Sequence, residues 1–474
     1  MATINAALNL ISGALDADQS ALNIVANNVA NANTAGYTQE VSNWQENAPV
    51  EINGISFGTG VTETGPTSVR DRILEGRLDQ QQQAASASSA RLSALDSIQA
   101  LFTPDSGSSS SSTSGDIGSD ITQFFDSFSS LEANPTDASL REQVLSTAKM
   151  LTGDISNAAA SLDQQKSSLD QEAAALTSQV NTLTTALAQL NTEIQSTSPD
   201  SDAGALEDQR QQDLNQLSQL IGINQVTTEN NGISVTTTSG GTLVSEGASY
   251  PLTTGKVDGV THFFLGTDDI TSSLASGDGQ LGGYLTARDQ DVPQVLSGLD
   301  QLAYDISTQV NSLNNSGSDA SGTTGTAAAP LYIFSEPTTV TGSALAMSVT
   351  MTDPSQIAAA AAGGGSGDNS NATALADLAS QSIVAGEAPS GYYSNFVSAL
   401  GSLVSQVQAA NTAQNASMTQ LQTARDSLSS VNEDDQASLM ERYERSYQAA
   451  SQVFTLLNTL ITSALNIGVE TAVS

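Results

Sequence analysis

His262 is the only imidazole in the chain, and it sits in the β-branched and aromatic run VTHFFLG. A lone imidazole needs a second ligand, a nucleophile or an orienting carboxylate before it can hold a metal or relay a proton. No Cys, no second His and no HExxH spacing accompanies it, so a strand or turn role is expected. The acidic pairs Asp268-Asp269 and Asp434-Asp435 could offer oxygens to Ca²⁺, but their spacing fits no EF-hand loop. Solvated turns are the expected reading. GGGSG at 363–367 lacks the following Lys-Ser/Thr that a phosphate-cradling loop requires, and no GxSxG nucleophile turn is present. The chain is therefore expected to be no enzyme and to use no cofactor or metal.

The polar chemistry that stands out is amide chemistry. ANNVANANTAGYT at 26–38 places Asn27, Asn28, Asn31 and Asn33 in one helical stretch, each costing ~0.5–0.7 kcal/mol against Ala in a helix interior. Upstream, Leu8, Ile11, Leu15, Leu22, Val25 and Val29 recur in alternating steps of three and four, interrupted at Asp18. That is a heptad seam, narrower than the face a globular helix buries. Gly36 is the expected helix stop, because it has no Cβ to resist the left-handed conformation; Tyr37 follows it. Near the other end Tyr443, Ala450, Val453, Leu457, Leu460, Ala464 and Ile467 repeat the same spacing, with Ser446 the weak position. Two narrow helices can pair, yet neither has the apolar width to be covered in a single chain. The inference is assembly beside neighbouring copies, with the Asn amides satisfied there and fixing register. Trp44 and Tyr37 are the aromatics close to the first helix, read equally as a local cluster or an intersubunit contact.

Stepping from these ends to the elements between them, the 474 residues allow two to four domains. Thirteen basic residues against 50 acidic ones give a net charge of −37, which disfavours nucleic acid and anionic membrane as partners. No run is long enough to span a bilayer, and residues 1–20 lack the pattern of a Sec-type signal. Residues 40–75 read as hairpins, 70–102 as helix, and DSGSSSSSTSG (105–115) as linker. Helical segments at 117–150 break at ANP. Ile155, Leu162, Leu169, Leu176, Leu183 and Leu190 are then spaced at seven throughout, and Val292, Leu299, Ile306 and Leu313 repeat that interval on an expected partner helix. Residues 222–275 and 331–352 read as short antiparallel strands, and 373–467 as helix. The expected fold is α+β, mainly α: a long discontinuous helical coiled coil or bundle from both chain ends with a small antiparallel β domain inserted. Its expected units are 1–36 with 436–474, 37–221 with 281–315 and 372–435, and an outer β-rich unit of 222–280 with 316–371.

ALNLISGALDADQSALNIVANNVANANTAGYTQE resembles the N-terminal signature shared by flagellar rod, hook and hook-associated proteins, and SSVNEDDQASLMERYERSYQAASQVFTLLNTLI resembles their C-terminal one. FFDSFSSLEANPTDASLREQVLSTAKMLTGDI, ALEDQRQQDLNQLSQLIGI and GQLGGYLTARDQDVPQVLSGLDQLAYDISTQVNSLNNSG narrow the resemblance to the flagellar hook-associated protein 1 family. DPSQIAAAAAGGGSGDN resembles that family too. The acidic Asn432-Glu433-Asp434-Asp435 and Ala35, where Pro is usual, depart from the pattern. The resemblance implies a structural adapter at the hook–filament junction, exported through the flagellar type III channel without a cleaved signal and located outside the cell. It implies as partners copies of itself in a helical ring, the hook protein, a second junction protein, and an export chaperone at the C-terminal helix. A hook or distal rod subunit is the nearest rival; a secreted enzyme with filament-like ends is the rival of another class.

Overall fold

Helix α1 (Ala2–Asn31) opens the chain in a computed structural model that describes residues 2–34, 36–52, 55–103, 116–197 and 203–470. The linker at 105–115 and Ala35 lie outside the described residues. A long hairpin follows, with β1 (Glu40–Glu46) antiparallel to β4 (Val61–Ser68) and β2 (Val50–Ile52) antiparallel to β3 (Ile55–Phe57). Asp71, Asp116 and Asp137 then start α2 (Arg72–Ala100), α3 (Ile117–Ala133) and α4 (Ala138–Ser196), their carboxylates accepting the otherwise orphaned N–H groups of Ile73 and Leu74, of Gly118, and of Ser139. Each such cap contributes about 1 kcal/mol. The break between α3 and α4 falls at Asn134-Pro135, where the proline ring pushes the preceding residue out of helical geometry.

Helix α5 (Gly204–Leu220) leads into a four-stranded antiparallel sheet of β5 (Ile223–Thr227), β6 (Ile233–Thr237), β7 (Thr242–Ser245) and β8 (Ala248–Ser249) in sequential order. A three-stranded sheet comes next, β9 (Leu252–Val257), β10 (Val260–Leu265) and β11 (Asp268–Asp269), with β10 central. The chain returns to helix with α6 (Thr271–Ala275), α7 (Gly279–Thr286), a π-helical turn at Ala287–Asp291 and α8 (Val292–Ser316). A long irregular segment carries α9 (Ser343–Ala346) and a 3-10 turn at Pro354–Gln356 before α10 (Ser370–Asp377), α11 (Pro389–Ser429) and α12 (Glu433–Glu470).

Helix α4 organises the body. Its 59 residues span about 88 Å at 1.5 Å per residue, and two separate cores form along it. The first gathers Ile155, Leu162 and Leu169 of α4 with Val292, Leu299 and Ile306 of α8, Phe124, Phe125 and Phe128 of α3, and Leu95 and Ile98 of α2. The heptad reading of α4 and α8 holds there, with Leu313 half-buried at the margin. The second core takes Leu176, Val180 and Leu187 against Leu214 and Leu217 of α5, Leu281 and Leu285 of α7, and Ile233, Val235, Val244 and Phe263 of the sheets. Along its C-terminal half, then, the seam of α4 packs on strands and short helices rather than on α8.

Residues 331–352 do not form the expected strands. Pro330 and Pro337 remove donors that a ladder needs, and Phe334 and Val349 make only an isolated bridge. Side-chain amides on α8 take the place of a strand partner. Asn311 exchanges both its hydrogen bonds with the Phe334 backbone at 3.0 Å, while Asn314 donates to Leu331 O at 2.6 Å and accepts from Ala358 N at 2.9 Å. This segment sends Ile333, Phe334, Met347 and Met351 into the first core, whereas 222–280 builds the second. The two stretches grouped at 222–280 with 316–371 therefore belong to different cores. His262 lies in β10 as expected, its Nδ1 2.6 Å from Asp269 Oδ2.

The border between the cores is ionic. Asp170 on α4 accepts from Arg288 Nη1 at 2.7 Å, from Lys256 Nζ at 2.6 Å, and from Thr261 N and Oγ1 at 2.9 and 2.7 Å. Burial would raise its pKa, but Lys256 and Thr261 outweigh burial and bring it down to about 2. A different carboxyl behaves oppositely. Asp120 of α3 is buried beside Asp154 and Asp116, and burial first, then the hydrogen bond and charge of Asp154, push it up to about 7. The folded chain keeps that proton where the unfolded chain has lost it, so this group's contribution is fully present below the unfolded value and is lost as pH rises through about 7. Urea melts at mildly acidic and mildly alkaline pH are expected to show lower stability at the alkaline end, and Asp120→Asn to flatten part of that fall.

Candidate functional site: the paired chain ends

Helices α1 and α12 pack on each other, and α1 also packs on β1 and β4. The stripe that α1 buries is turned from the one its leucines suggest. Ile11 and Val25 are buried, as expected, but their companions are Ala17, Asp18, Ala21, Ile24 and Asn28. Leu8, Leu15 and Leu22 are half-buried at the edge of the stripe, and Val29 is exposed. Small residues set this rotation. Gly13 sits where a Cβ would come within 3.2 Å of the Val61 carbonyl of β4, so the hairpin approaches the face of Gly13 and Ala17 where a leucine would hold it away. The alanine pair four residues apart was the available signal.

Asn28 is the centre of the pairing. Its Nδ2 donates to Glu40 O at 2.8 Å and to Gln436 Oε1 of α12 at 3.1 Å, and its Oδ1 accepts from Tyr37 Oη at 2.9 Å and Glu40 N at 3.0 Å. Both donors and both acceptor positions are used. Burial, then the charges of Glu40 and Asp208, push the Tyr37 phenol up to about 12, so it remains a donor. The other amides behave differently: Asn31 donates to the backbone and side chain of exposed Asn27, and Asn33 is exposed. Of the four amides, only that of Asn28 is buried within the chain. Asn28→Ala is expected to orphan the partners of all four hydrogen bonds, at ~1–3 kcal/mol per buried group. The check is hydrogen exchange, which should accelerate in α1 and at the start of α12 while the α4 amides keep their protection.

Below Asn28 a collar joins the pair to the body. Gly36 adopts φ +81°, as its stop role requires, and its carbonyl accepts from Arg425 Nη2 at 3.1 Å while Arg425 Nε donates to Glu75 at 3.1 Å. Thr38 N donates to Asp208 Oδ2 at 3.0 Å, Gln39 N to Ser429 O at 2.9 Å, and Ser429 Oγ to Val69 O at 2.7 Å. Trp44 packs edge-on against Tyr443 with centroids 5.8 Å apart, and Arg442 lies over that Tyr443 ring. Trp44 and Tyr37 both sit in contacts within the chain.

On α12 Gln436 is buried, and Leu439, Met440, Tyr443, Ala450, Leu457 and Ile461 are half-buried. Val453 and Leu460, expected in the seam, are 45% and 53% exposed, and Phe454 and Leu456 stand beside them in solvent. The side chains of Ala464 and Ile467 lie outside the described residues. The hairpin adds Val50, Ile55 and Phe57, each about half exposed or more. Large apolar side chains aligned on one helix and left in water indicate an uncovered contact face.

Residues 8–38 match a family model described as flagella basal body rod protein. Residues 108–328 match the model of the flagellar hook-associated protein FlgK helical domain. Flagellar hook-associated protein 1 of Escherichia coli (strain K12) is 28% identical over 334 residues, 67% of this chain and 58% of that protein; its Salmonella typhimurium counterpart is 27% identical over 330 residues. The protein of that name from Bacillus subtilis is 26% identical over 502 residues and 96% of each chain. The flagellar hook junction protein FlgK from Burkholderia pseudomallei shares the fold, with a TM-score of 0.64 at 18% identity over 74% of this chain and all of that one. By sequence and fold, then, the chain is similar to the flagellar hook-associated proteins 1. It spans 58% of the length of the Escherichia coli and Salmonella typhimurium relatives it matches. No helix among the described residues is long and apolar enough to cross a membrane.

Proposed function

We propose that this chain is the adapter subunit that joins the hook to the filament and that filaments need for attachment. The observation that carries this reading is the terminal pair: Asn28 and Gln436 lock α1 to α12 while Val453, Phe454, Leu456 and Leu460 remain in solvent. Such a pair is stable enough to form within one chain and incomplete enough to require neighbours. Copies of the chain would cover the strip by forming a helical ring, with the hook protein on one side and a second junction protein on the other. In this reading 1–36 with 436–474 is the inner assembly unit, the body around α4 sits outside it, and the chain works without catalysis, cofactor or metal. Before export through the flagellar type III channel to the cell exterior, the same α12 strip would be covered by a chaperone. A hook or distal rod subunit would share the 8–38 match, but that reading leaves the helical body at 108–328 without a role. Electron microscopy of flagella from a strain lacking the protein tests the reading: complete hooks with filaments shed into the medium support it, and attached filaments of normal number overturn it.

A further inference from the structure

Four of the thirteen basic residues of this acidic chain converge on one cavity of about 350 Å³ between the start of α2, α5 and the edge of the four-stranded sheet. Glu207 holds the buried Arg70 side chain at 2.9 Å and the exposed Arg72 at 3.3 Å. Arg210 is different. It is 94% buried, given its relative exposure of 6%, and its Nη1 donates to Asn231 O at 2.5 Å and to Asn191 Oδ1 at 3.4 Å. Among the described residues no carboxylate lies within ion-pairing distance of it. Burial lowers its pKa to about 10, with Glu207 opposing that shift and Arg70 and Arg72 adding to it; the guanidinium is still charged at neutral pH. Arg77, exposed at the cavity mouth, makes no ion pair among the described residues either. A buried guanidinium that lacks its own carboxylate, with a second free one at the entrance, is an arrangement that planar bidentate anions fit.

We infer that this cavity binds a small dicarboxylate, one carboxylate on the buried Arg210 and the other on Arg77. The volume suits a ligand of a few carbons. The site also carries its own pH dependence. Asp79 on the α2 wall is buried and accepts from Gln211 at 3.0 Å and Gln225 at 2.9 Å. Burial pushes it up to about 7, with the charge of Glu75 adding to that and the two amides opposing it. Glu75 itself is paired with Arg425 of α11; α5 presents Glu207 and Arg210, and the sheet presents uncharged residues alone to the cavity, Asn224, Gln225 and Thr227 among them. Below about pH 7 Asp79 is neutral, the cavity is more cationic, and an anion binds more tightly; above it the new carboxylate repels the ligand.

Isothermal titration of the full chain with malonate, at about pH 6.5 and about pH 8, reads this directly. The expected result is one saturable site, several-fold tighter at the lower pH. Arg77→Ala is exposed and should leave the fold intact while weakening binding roughly tenfold, the scale of one charge-assisted hydrogen bond. Arg210→Gln should abolish binding, and Asp79→Asn should make the two pH values equivalent. Heats no different from sodium chloride at the same ionic strength would overturn the inference, as would malonate binding that Arg77→Ala leaves unchanged.

Discussion

Leu457→Asp is expected to leave the free chain folded and exported while removing it from the hook tip. Leu457 is half-buried on α12 and belongs to neither core of the body, so in the free chain the new carboxylate can turn to water. Once neighbouring copies cover the strip it cannot, and an unpaired charge taken out of water costs several kcal/mol. A loss of that size in each subunit contact reduces incorporation by orders of magnitude, since every 1.4 kcal/mol is a factor of ten. Immunoblots of culture medium and of isolated hooks separate the two steps. Mutant protein in the medium and none on hooks is the expected pattern; normal filaments would show that assembly buries Leu457 no further.

Phe124→Ala is expected to give the largest loss of folding stability. Phe124 is fully buried where α3, α4 and the 331–352 segment meet, and its ring contacts Phe125, Phe128 and Phe334 at centroid distances of 5.2, 5.3 and 5.4 Å. Truncating a buried Phe costs about 3–5 kcal/mol through lost transfer energy and the cavity left behind, and the aromatic pairs add to that. Urea denaturation followed by circular dichroism should show the midpoint falling sharply, with the slope little changed. A shift within the error of the melt would mean that the 331–352 segment does not close this core.

Much of the body was legible because its signal is periodic. The seven-residue spacing of Ile155, Leu162 and Leu169 against Val292, Leu299 and Ile306 needs nothing beyond helix geometry, and those six residues do share one core. Asn134-Pro135 and Gly36 were legible because each imposes a backbone constraint of its own. The segment 331–352 was not, because β-like alternation says nothing about which groups take the backbone hydrogen bonds; Asn311 and Asn314, twenty residues or so away on α8, take them. At the chain ends the periodicity marked two helices that pack on each other, and Tyr443, Ala450 and Leu457 on the second are half-buried. The buried face of α1 escaped because close approach to a hairpin favours Gly13, Ala17 and Ala21 over leucine, and apolar spacing ranks residues by size in the opposite sense. Of the four asparagines, Asn28 alone has its amide buried and saturated, and only the positions of Glu40 and Gln436 reveal that. The arginine cavity left no pattern in the sequence, since Arg77 and Arg210 meet only through the packing of α2 on α5.

Because the chain contains no Cys, one introduced thiol reports on one place. Leu456 is 61% exposed on α12 in the strip that assembly is held to cover. Maleimide labelling of Leu456→Cys, compared between the free chain and intact flagella, therefore tests the central claim most directly, with Val226→Cys on the outer edge of the second core as the accessible control. Rapid labelling of both thiols is expected in the free chain, and in flagella a labelled control beside a protected thiol at position 456. Equal labelling of that thiol in both states would contradict it, because the apolar strip would then remain in water in the finished structure.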